Sequence, residues 1–283
     1  MDVIVTGAYG RVGTAVLDHA TGKFDYVPFD RRDHPRLDTV VGDVSDLDTV
    51  QSVLDSRQAV VHLAANPHVD ADWESVLRNN IAGAYNCLEA CRQCGVKTAV
   101  LASSNHIVGM YEQEHAPSLY EQEYDLFLNH ETPVRPDSFY GVSKAFLEAL
   151  GRYYVENYDS PSHVYALRIG SVRYPEYDHP FGDAERGVEA GRWERGSDEY
   201  RREVRRMKAT WLSRRDLAQL VECCLRDDDA VFEIFYGVSA NDRRWFDIDR
   251  PRRLVGYSPR DNGENWDEPP LEPRDRETVA FEK

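Results

Sequence analysis

The chain has little lysine and no long apolar run. Only five lysines stand among its 283 residues, against 29 arginines. No apolar run reaches the roughly 20 residues that a membrane-spanning helix requires, and a strand-like segment begins within two residues of Met1. We therefore expect no signal peptide, no membrane anchor and a soluble, cytoplasmic protein.

Cysteine is also scarce, which argues against a disulfide framework. Of the five cysteines, Cys87, Cys91 and Cys94 recur at helical spacing, where free cysteine usually packs as a small hydrophobic residue. Cys223 and Cys224 are adjacent, a spacing at which two thiols do not readily bind one ion. The sequence predicts no metal site.

Positive charge is outweighed by negative charge, giving a formal net charge of −16. Such a field repels nucleic acid, and no basic patch with interleaved aromatic residues is present. Few lysines beside abundant aspartate and arginine are typical of a halophilic cytoplasm, where molar salt screens repulsion within a few ångströms. An ordinary acidic surface is the alternative.

Apolar segments alternate with helical patterns over the first 170 residues. The predicted strands are 3–6, 26–29, 39–42, 59–65, 98–104 and 164–170, and the main helices between them are 11–19, 47–54, 73–95 and 140–158. Continuous apolar strands that alternate with helices predict a parallel sheet covered on both faces. The expected fold is α/β, with a doubly wound parallel (Rossmann) sheet over residues 1–170.

After residue 170 the character of the sequence changes. Residues 173–206 are charged and suggest irregular structure, followed by a helix at 213–227 and a strand at 232–237. We expect a small C-terminal substrate-binding lobe over 171–258, with elements that return to the core. An acidic, proline-rich tail over 259–283 is expected to be loosely ordered.

A glycine-rich turn follows the first strand directly. Gly7, Gly10 and Gly13 form G-x-x-G-x-x-G between a strand and a helix. Glycines here permit a tight turn and let backbone amides and a helix N-terminus approach a pyrophosphate. A purely structural turn is the alternative, but the position between strand and helix favours a dinucleotide.

The residues after the second and third strands bear on the choice of cofactor. Asp30, about twenty residues past the glycine turn, can bind the adenosine ribose of NAD. Arg31 and Arg32 can instead bind the 2′-phosphate of NADP or remain solvated, so both cofactors stay open. Asp43 lies where an adenine would bind or, alternatively, caps the next helix.

Tyr140 and Lys144 lie one helical turn apart at the start of a predicted helix. A phenol with a pKa near 10 is a poor base at neutral pH, and a nearby ammonium favours the phenolate. A compact lysine charge suits this role better than the planar fork of arginine. Ser104, at the end of the fifth strand, completes a set that can remove a proton from an alcohol.

These motifs resemble the extended short-chain dehydrogenase/reductase family over nearly the whole chain. The matching positions are T-G-x-x-G-x-x-G at 6–13, Asp43, "HLAA" at 62–65, Asn80, Ser104, Tyr140 and Lys144. The longer stretches resemble the group of uronate dehydrogenase and the haloarchaeal aldose dehydrogenases for L-arabinose or glucose 6-phosphate. They are "LASSNHIVGMY" (101–111), "RPDSFYGVSK" (135–144), "RIGSV" (168–172), "MKATWLSRRD" (207–216) and "YGVSANDRRWFD" (236–247).

The resemblance implies the role of each site residue. Tyr140 would be the base, Ser104 would hold the reacting oxygen, and Lys144 would bind ribose and tune Tyr140. The implied NAD or NADP contacts are Gly7, Tyr9, Gly10, Arg11, Val12, Gly13, Asp30, Arg31, Asp43, Val44, Leu63, Ala64, Ala65, Asn80, Ser103, Tyr140, Lys144 and Ile169. The implied substrate contacts are His68, Ser104, Asn105, His106, Tyr140, Ser171 and Arg206. For His68, which lies in the loop after the fourth strand, an ordinary polar loop residue is the alternative.

The implied activity is NAD(P)-dependent oxidation of the anomeric carbon of a cyclic sugar to a lactone. The acidic character of residues 173–206 favours a neutral sugar such as L-arabinose or D-galactose over a uronate or glucose 6-phosphate. The alternatives are an NDP-sugar epimerase or dehydratase and a non-catalytic NAD(P)-sensing protein. Apolar stretches on helices 73–94 and 140–158 suit either a homo-oligomer contact or the core.

Overall fold

Seven parallel strands form the centre of the molecule in the computed structural model, which describes residues 1–270. Their order in the sheet is β3-β2-β1-β4-β5-β6-β7. The order reverses between β1 and β4, the place where ligands bind in sheets of this kind. The strands are β1 Asp2–Thr6, β2 Asp25–Asp30, β3 Val40–Val41, β4 Ala59–His62, β5 Thr98–Ser104, β6 His163–Ile169 and β7 Phe232–Gly237.

Helices follow most of the strands and cover the sheet. The first six are α1 Arg11–Asp18, α2 Leu47–Leu54, α3 Trp73–Val76, α4 Gly83–Cys94, α5 Gly109–His115 and α6 Phe139–Asn157. The others are α7 Gly182–Glu189, α8 Asp198–Thr210, α9 Arg214–Arg226 and α10 Asp249–Val255. A π-helical turn, Leu77–Ala82, joins α3 to α4. None of the helices in the described chain has the length and apolar character needed to cross a membrane.

Both faces of the sheet are buried by helices. On one face Val3 and Val5 of β1 pack with residues of α1 and α9. On the other face Ile4 packs with residues of α2, α4 and α6. Successive residues of a strand point to opposite faces, so a strand covered on both sides is apolar throughout. The predicted α/β doubly wound parallel sheet is confirmed.

The segment 173–206 contains two helices instead of the irregular structure that its composition suggested. Ser197 begins α8 by accepting a hydrogen bond from the amide of Tyr200. Tyr200 and Val204, one turn apart, pack with Phe181 and α7 in a small apolar cluster. Charged residues fill the positions between them, so the short apolar stripe of α8 was hidden in the sequence.

Elements after residue 170 pack against the core. Strand β7 pairs with β6, and α9 packs beside α1 in the same apolar layer. The division of the chain at residues 170 and 258 stays a prediction.

Residues 259–270 are held against the core, although the sequence suggested a loosely ordered tail. Asp216 of α9 accepts hydrogen bonds from the amides of Arg260 and Asp261, at 2.9 and 3.1 Å. Trp266 stacks on His179. Composition did not reveal these contacts because backbone amides and a single ring make them. The rest of the predicted tail, 271–283, lies outside the described residues.

Candidate active site

A cavity of about 860 Å³ runs along the carboxyl ends of the central strands, at the point where their order reverses. Ligands bind at this position in doubly wound sheets. All but two of the predicted site residues line it. They are Gly7, Gly10, Arg11, Val12, Gly13, Asp30, Arg31, Asp43, Val44, Leu63, Ala64, Ala65, His68, Ser103, Ser104, Asn105, His106, Tyr140, Lys144, Ile169, Ser171 and Arg206.

The glycine turn packs too closely against neighbouring backbone to carry side chains at Gly7 and Gly13. Gly7 has a φ of +65°, and a Cβ on it would lie 2.8 Å from Cα of Ala64. A Cβ on Gly13 would lie 2.4 Å from the carbonyl oxygen of Ala8. Gly10 precedes α1 without a side-chain cap, so the first amides of α1 can bind an anion. This cradle fits the pyrophosphate of a dinucleotide.

Asp30 ends β2 beside the glycine turn. Its carboxylate accepts hydrogen bonds from the amides of Tyr9 and Arg32, at 3.1 and 3.2 Å. The Arg32 guanidinium also lies 3.5 Å from it, so Arg32 is turned toward Asp30. A carboxylate here can accept hydrogen bonds from ribose hydroxyls and repels a 2′-phosphate.

Asp43 follows β3 and forms a turn. Its carboxylate accepts a hydrogen bond from the amide of Ser45 at 2.9 Å, whereas Asp46 is the residue that caps α2. Burial opposes ionisation of Asp43, but the Ser45 hydrogen bonds and the charges of Arg31 and Arg78 lower its pKa overall. A charged carboxylate therefore lines this end of the cavity.

Ser104, Tyr140 and Lys144 share one wall of the cavity. Ser104 ends β5, and the other two side chains lie one turn apart on α6. Ser138 caps α6 by accepting a hydrogen bond from the amide of Gly141 at 3.1 Å. The cap fixes where the helix begins and thus places Tyr140 in its first turn.

The start of α6 is held against neighbouring segments by two close contacts. A Cβ on Gly141 would lie 2.5 Å from the carbonyl oxygen of His106, so glycine lets α6 approach the turn after β5. Ser143 donates a hydrogen bond to the carbonyl of Tyr140 at 2.7 Å and accepts one from Asn80 at 3.0 Å.

Asn80 and Tyr9 are the two predicted cofactor residues that lie outside the lining. Asn80 is buried, and it binds the backbone of Asn66 as well as Ser143. Tyr9 is buried with its hydroxyl on Thr39. Both side chains form hydrogen bonds within the protein. They therefore stabilise the segments around the cavity but do not line it.

Without a bound cofactor, the environment of Tyr140 opposes ionisation of its phenol. Burial raises the pKa of Tyr140, the hydrogen bond from Ser104 and the charge of Arg11 lower it, and Asp137 raises it, with a net increase. The sequence predicted a lowering of this pKa by Lys144. Burial of the phenol is the largest effect, because burial disfavours the charged phenolate.

Lys144 is a buried ammonium on the cavity wall. Burial lowers the pKa of Lys144 to about 8. Its Nζ lies 5.4 Å from the centroid of the Tyr140 ring, and within residues 1–270 it makes no hydrogen bond or ion pair. A buried cation that faces a cavity in this way fits the hydroxyls of a nicotinamide ribose.

His106 and Asp137 form a pair beside Tyr140. The distance from His106 Nδ1 to Asp137 Oδ2 is 2.7 Å, and Ser138 donates to the other carboxylate oxygen at 2.8 Å. The imidazole meets the Tyr140 ring edge-on, with centroids 5.8 Å apart. Burial opposes ionisation of Asp137, but these hydrogen bonds lower its pKa overall. Asp137 thereby fixes one nitrogen of His106 and leaves Nε2 for a ligand.

Arg206 is the arginine that α8 brings to the cavity; Arg201, Arg202 and Arg205 do not line it. Its Nε donates a hydrogen bond to Glu112 at 2.6 Å. Ser171 also lines this region, within 2.9 Å of the Thr210 hydroxyl.

Sequence reasoning missed several residues of the site. Arg173 lines the cavity two residues after Ser171, and Asp137 lies in the motif "RPDSFYGVSK" (135–144). Both residues are therefore close in sequence to positions that were predicted. Glu112 had none, because 94 positions separate it from Arg206. Ser103, a predicted cofactor contact, lines the cavity and donates its hydroxyl to buried Glu148 at 2.6 Å.

Known proteins resemble the chain over most of its length. NAD-dependent glucose-6-phosphate dehydrogenase of Haloferax volcanii is 39% identical, over 92% of this chain and 93% of the relative. L-arabinose 1-dehydrogenase (NAD(P)(+)) of the same organism is 35% identical, over 92% and 96%. A mutant uronate dehydrogenase from Agrobacterium tumefaciens, solved in complex with NAD, is 27% identical with a TM-score of 0.72, over 97% and 92%.

The model of one protein family matches residues 3–181. The matched region contains the glycine turn and the wall formed by Ser104, Tyr140 and Lys144. The chain therefore belongs to the NAD dependent epimerase/dehydratase family.

Proposed function

We propose that the protein oxidises the anomeric hydroxyl of a cyclic aldose to a lactone, with NAD or NADP as the hydride acceptor. The observation that carries this proposal is the wall of Ser104, Tyr140 and Lys144 beside a cradle for a dinucleotide in one cavity. The sugar dehydrogenases to which the chain is similar match it nearly end to end. This extent of similarity favours a dehydrogenase over an NDP-sugar epimerase or dehydratase.

Each residue of the wall has a distinct role in this reaction. Ser104 holds the C1 oxygen, and Tyr140 takes the proton of the C1 hydroxyl as the C1–H bond breaks. Lys144 binds the ribose and keeps a positive charge near the Tyr140 phenolate, the form that accepts this proton. The bound cofactor supplies the hydride acceptor. The sugar thus loses one proton and one hydride, and C1 becomes the carbonyl of the lactone.

Among the aldoses we propose a neutral sugar of the L-arabinose or D-galactose type. Arg173 and Arg206 are the residues of 173–206 that line the cavity, and their pairing with Asp183 and Glu112 supports this choice, because an anionic substrate would compete with these carboxylates. The alternatives are a uronate and glucose 6-phosphate. We further infer a cytoplasmic location from the acidic, lysine-poor composition, and a homo-oligomer from the exposed apolar side chains of α3 and α6.

Replacing Tyr140 tests the mechanism. We expect Tyr140→Phe to lose about 10²–10⁴-fold in turnover, because the variant has no group to take the proton. NAD binding, measured by calorimetry, should persist because the glycine turn is untouched. Tyr153→Phe, an exposed position on the same helix, is the matched control. Equal turnover in Tyr140→Phe would contradict the mechanism and favour a non-catalytic, NAD(P)-sensing protein.

A further inference from the structure

Arg173 and Arg206, two of the arginines that line the cavity, are already bound to carboxylates of the same chain. Arg206 donates to Glu112 through Nε at 2.6 Å and through Nη2 at 3.4 Å. Arg173 donates through Nε to Asp183 at 2.6 Å. Charged, two-point pairs of this kind are among the stronger hydrogen bonds in proteins. The charge of each guanidinium is therefore already compensated, and neither needs an anionic ligand.

A third carboxylate, that of Glu203, adds negative charge beside Arg206. Glu203 Oε1 lies 3.8 Å from Arg206 Nη1, and Tyr120 donates a hydrogen bond to Glu112 at 3.0 Å. The side chains of Arg206 and Glu112 are only 21% and 17% exposed, so water screens their interaction weakly. Arg186 Nη1 also lies 3.6 Å from Asp183 Oδ1, so three arginines and three carboxylates meet here and their charges balance.

An anionic substrate would meet an unfavourable arrangement at this wall. A carboxylate or phosphate that took Nε of Arg206 would displace Glu112 and leave its charge partly buried without a partner, which is costly. An anion at Nη1 would instead place a third negative charge around one guanidinium. A sugar hydroxyl avoids both costs, because it accepts from the arginine and donates to a carboxylate.

We infer that Glu112 is a specificity-determining residue of this site, and that it directs the enzyme to neutral, hydroxyl-bearing aldoses and away from sugars with a carboxylate or phosphate. The inference rests on the proposed aldose oxidation. Glu112 acts through Arg206 and takes no part in proton or hydride transfer.

The test compares Glu112→Gln with Glu114→Gln. Gln keeps the size of Glu112 and an acceptor for Tyr120 while removing its charge. Glu114 is a matched control on α5, since it binds the exposed Arg135 at 2.7 Å, away from the cavity. We would measure kcat/KM with NAD for L-arabinose, D-galactose, D-glucuronate and D-glucose 6-phosphate in molar potassium chloride, which screens exposed charges most.

We expect wild type and Glu114→Gln to prefer the neutral sugars. In Glu112→Gln the ratio of anionic to neutral kcat/KM should rise about tenfold or more, mainly through KM for the anionic sugar. If thermal melting shows that Glu112→Gln is unfolded, Glu203→Gln should give a smaller rise in the same direction.

A wild type that prefers an anionic sugar would overturn the inference and leave the aldose oxidation standing. An unchanged ratio of anionic to neutral kcat/KM in a folded Glu112→Gln would also overturn the inference and leave the aldose oxidation standing. Wild type that binds NAD but oxidises none of the four sugars would overturn the proposed function, and the inference with it.

Discussion

Single residues set the chemistry of this site through their burial. The Tyr140 phenol and the Lys144 ammonium lie on the same cavity wall, and burial acts on each against its charged form. The free energy of keeping Lys144 charged must come from the rest of the fold until a cofactor hydroxyl binds it. Lys144, which the reaction needs, thus destabilises the protein when no cofactor is bound.

Replacing Lys144 should therefore stabilise the cofactor-free protein at neutral pH. Its folded-state pKa is about 8, below the unfolded value of roughly 10.4. Below pH 8 the buried charge carries its full cost, and the cost falls as the pH rises toward the unfolded value, because the folded protein releases the proton first. At pH 7 we expect Lys144→Met to unfold with a free energy about 1–3 kcal/mol above wild type.

Denaturant titrations at pH 7 and pH 10 measure this effect. The advantage of Lys144→Met should shrink at the higher pH, and Lys97→Met, at an exposed position, should show no such trend. An advantage that stays constant with pH would mean that the packing of methionine, and not the lysine charge, causes it.

At the scale of elements, strand ends and helix starts determine which residues meet. Strands β2 and β5 end at Asp30 and Ser104, and α6 starts just before Tyr140. In a parallel sheet the carboxyl ends of neighbouring strands lie at one edge, so these side chains reach one cavity. The end of β2 is the part of this edge that bears on the choice of cofactor.

Asp30→Ala should weaken the use of NAD more than that of NADP. The carboxylate can bind ribose hydroxyls in NAD, whereas it repels the 2′-phosphate of NADP. We expect kcat/KM for NAD to fall about 10–100-fold, the range for loss of a hydrogen bond to a charged group. Initial rates with both cofactors test this, with Asp38→Ala at an exposed position as the control. An unchanged ratio of NAD to NADP use would refute the ribose role.

The whole molecule combines a strongly acidic surface with an exposed apolar patch. The net charge of −16 opposes association at low salt. On α3, the following π-helical turn and α6, the large side chains Trp73, Leu77, Phe139 and Val142 are between 43% and 52% exposed. The Trp73 and Phe139 rings touch edge-on, with centroids 5.6 Å apart, so the patch spans both helices.

Phe139→Asp should dissociate the oligomer that we propose. A carboxylate in the middle of an apolar contact is desolvated without a partner, which disfavours association. Light scattering in molar potassium chloride should give wild type at least twice the mass of the 32.5 kDa chain, and the variant the mass of a single chain. Phe127→Asp, at another exposed phenylalanine, should keep the wild-type mass. A monomeric wild type would contradict the proposal.

The sequence by itself determined the sheet, the glycine turn and the set of Ser104, Tyr140 and Lys144. Strands buried on both faces are apolar throughout, and a turn around a pyrophosphate requires glycine. A lysine one helical turn after a tyrosine shares its face of the helix. Each of these signals is local, so a stretch of sequence is enough to recognise it.

Only the tertiary structure decided the charge balance of the cavity. The pairing of Arg206 with Glu112 joins positions 94 residues apart, and that of His106 with Asp137 joins positions 31 apart. The lowered pKa of Lys144 and the helices within 173–206 likewise depend on what packs around them. Burial and through-space charge follow from the distances between side chains, and folding sets those distances independently of separation along the chain.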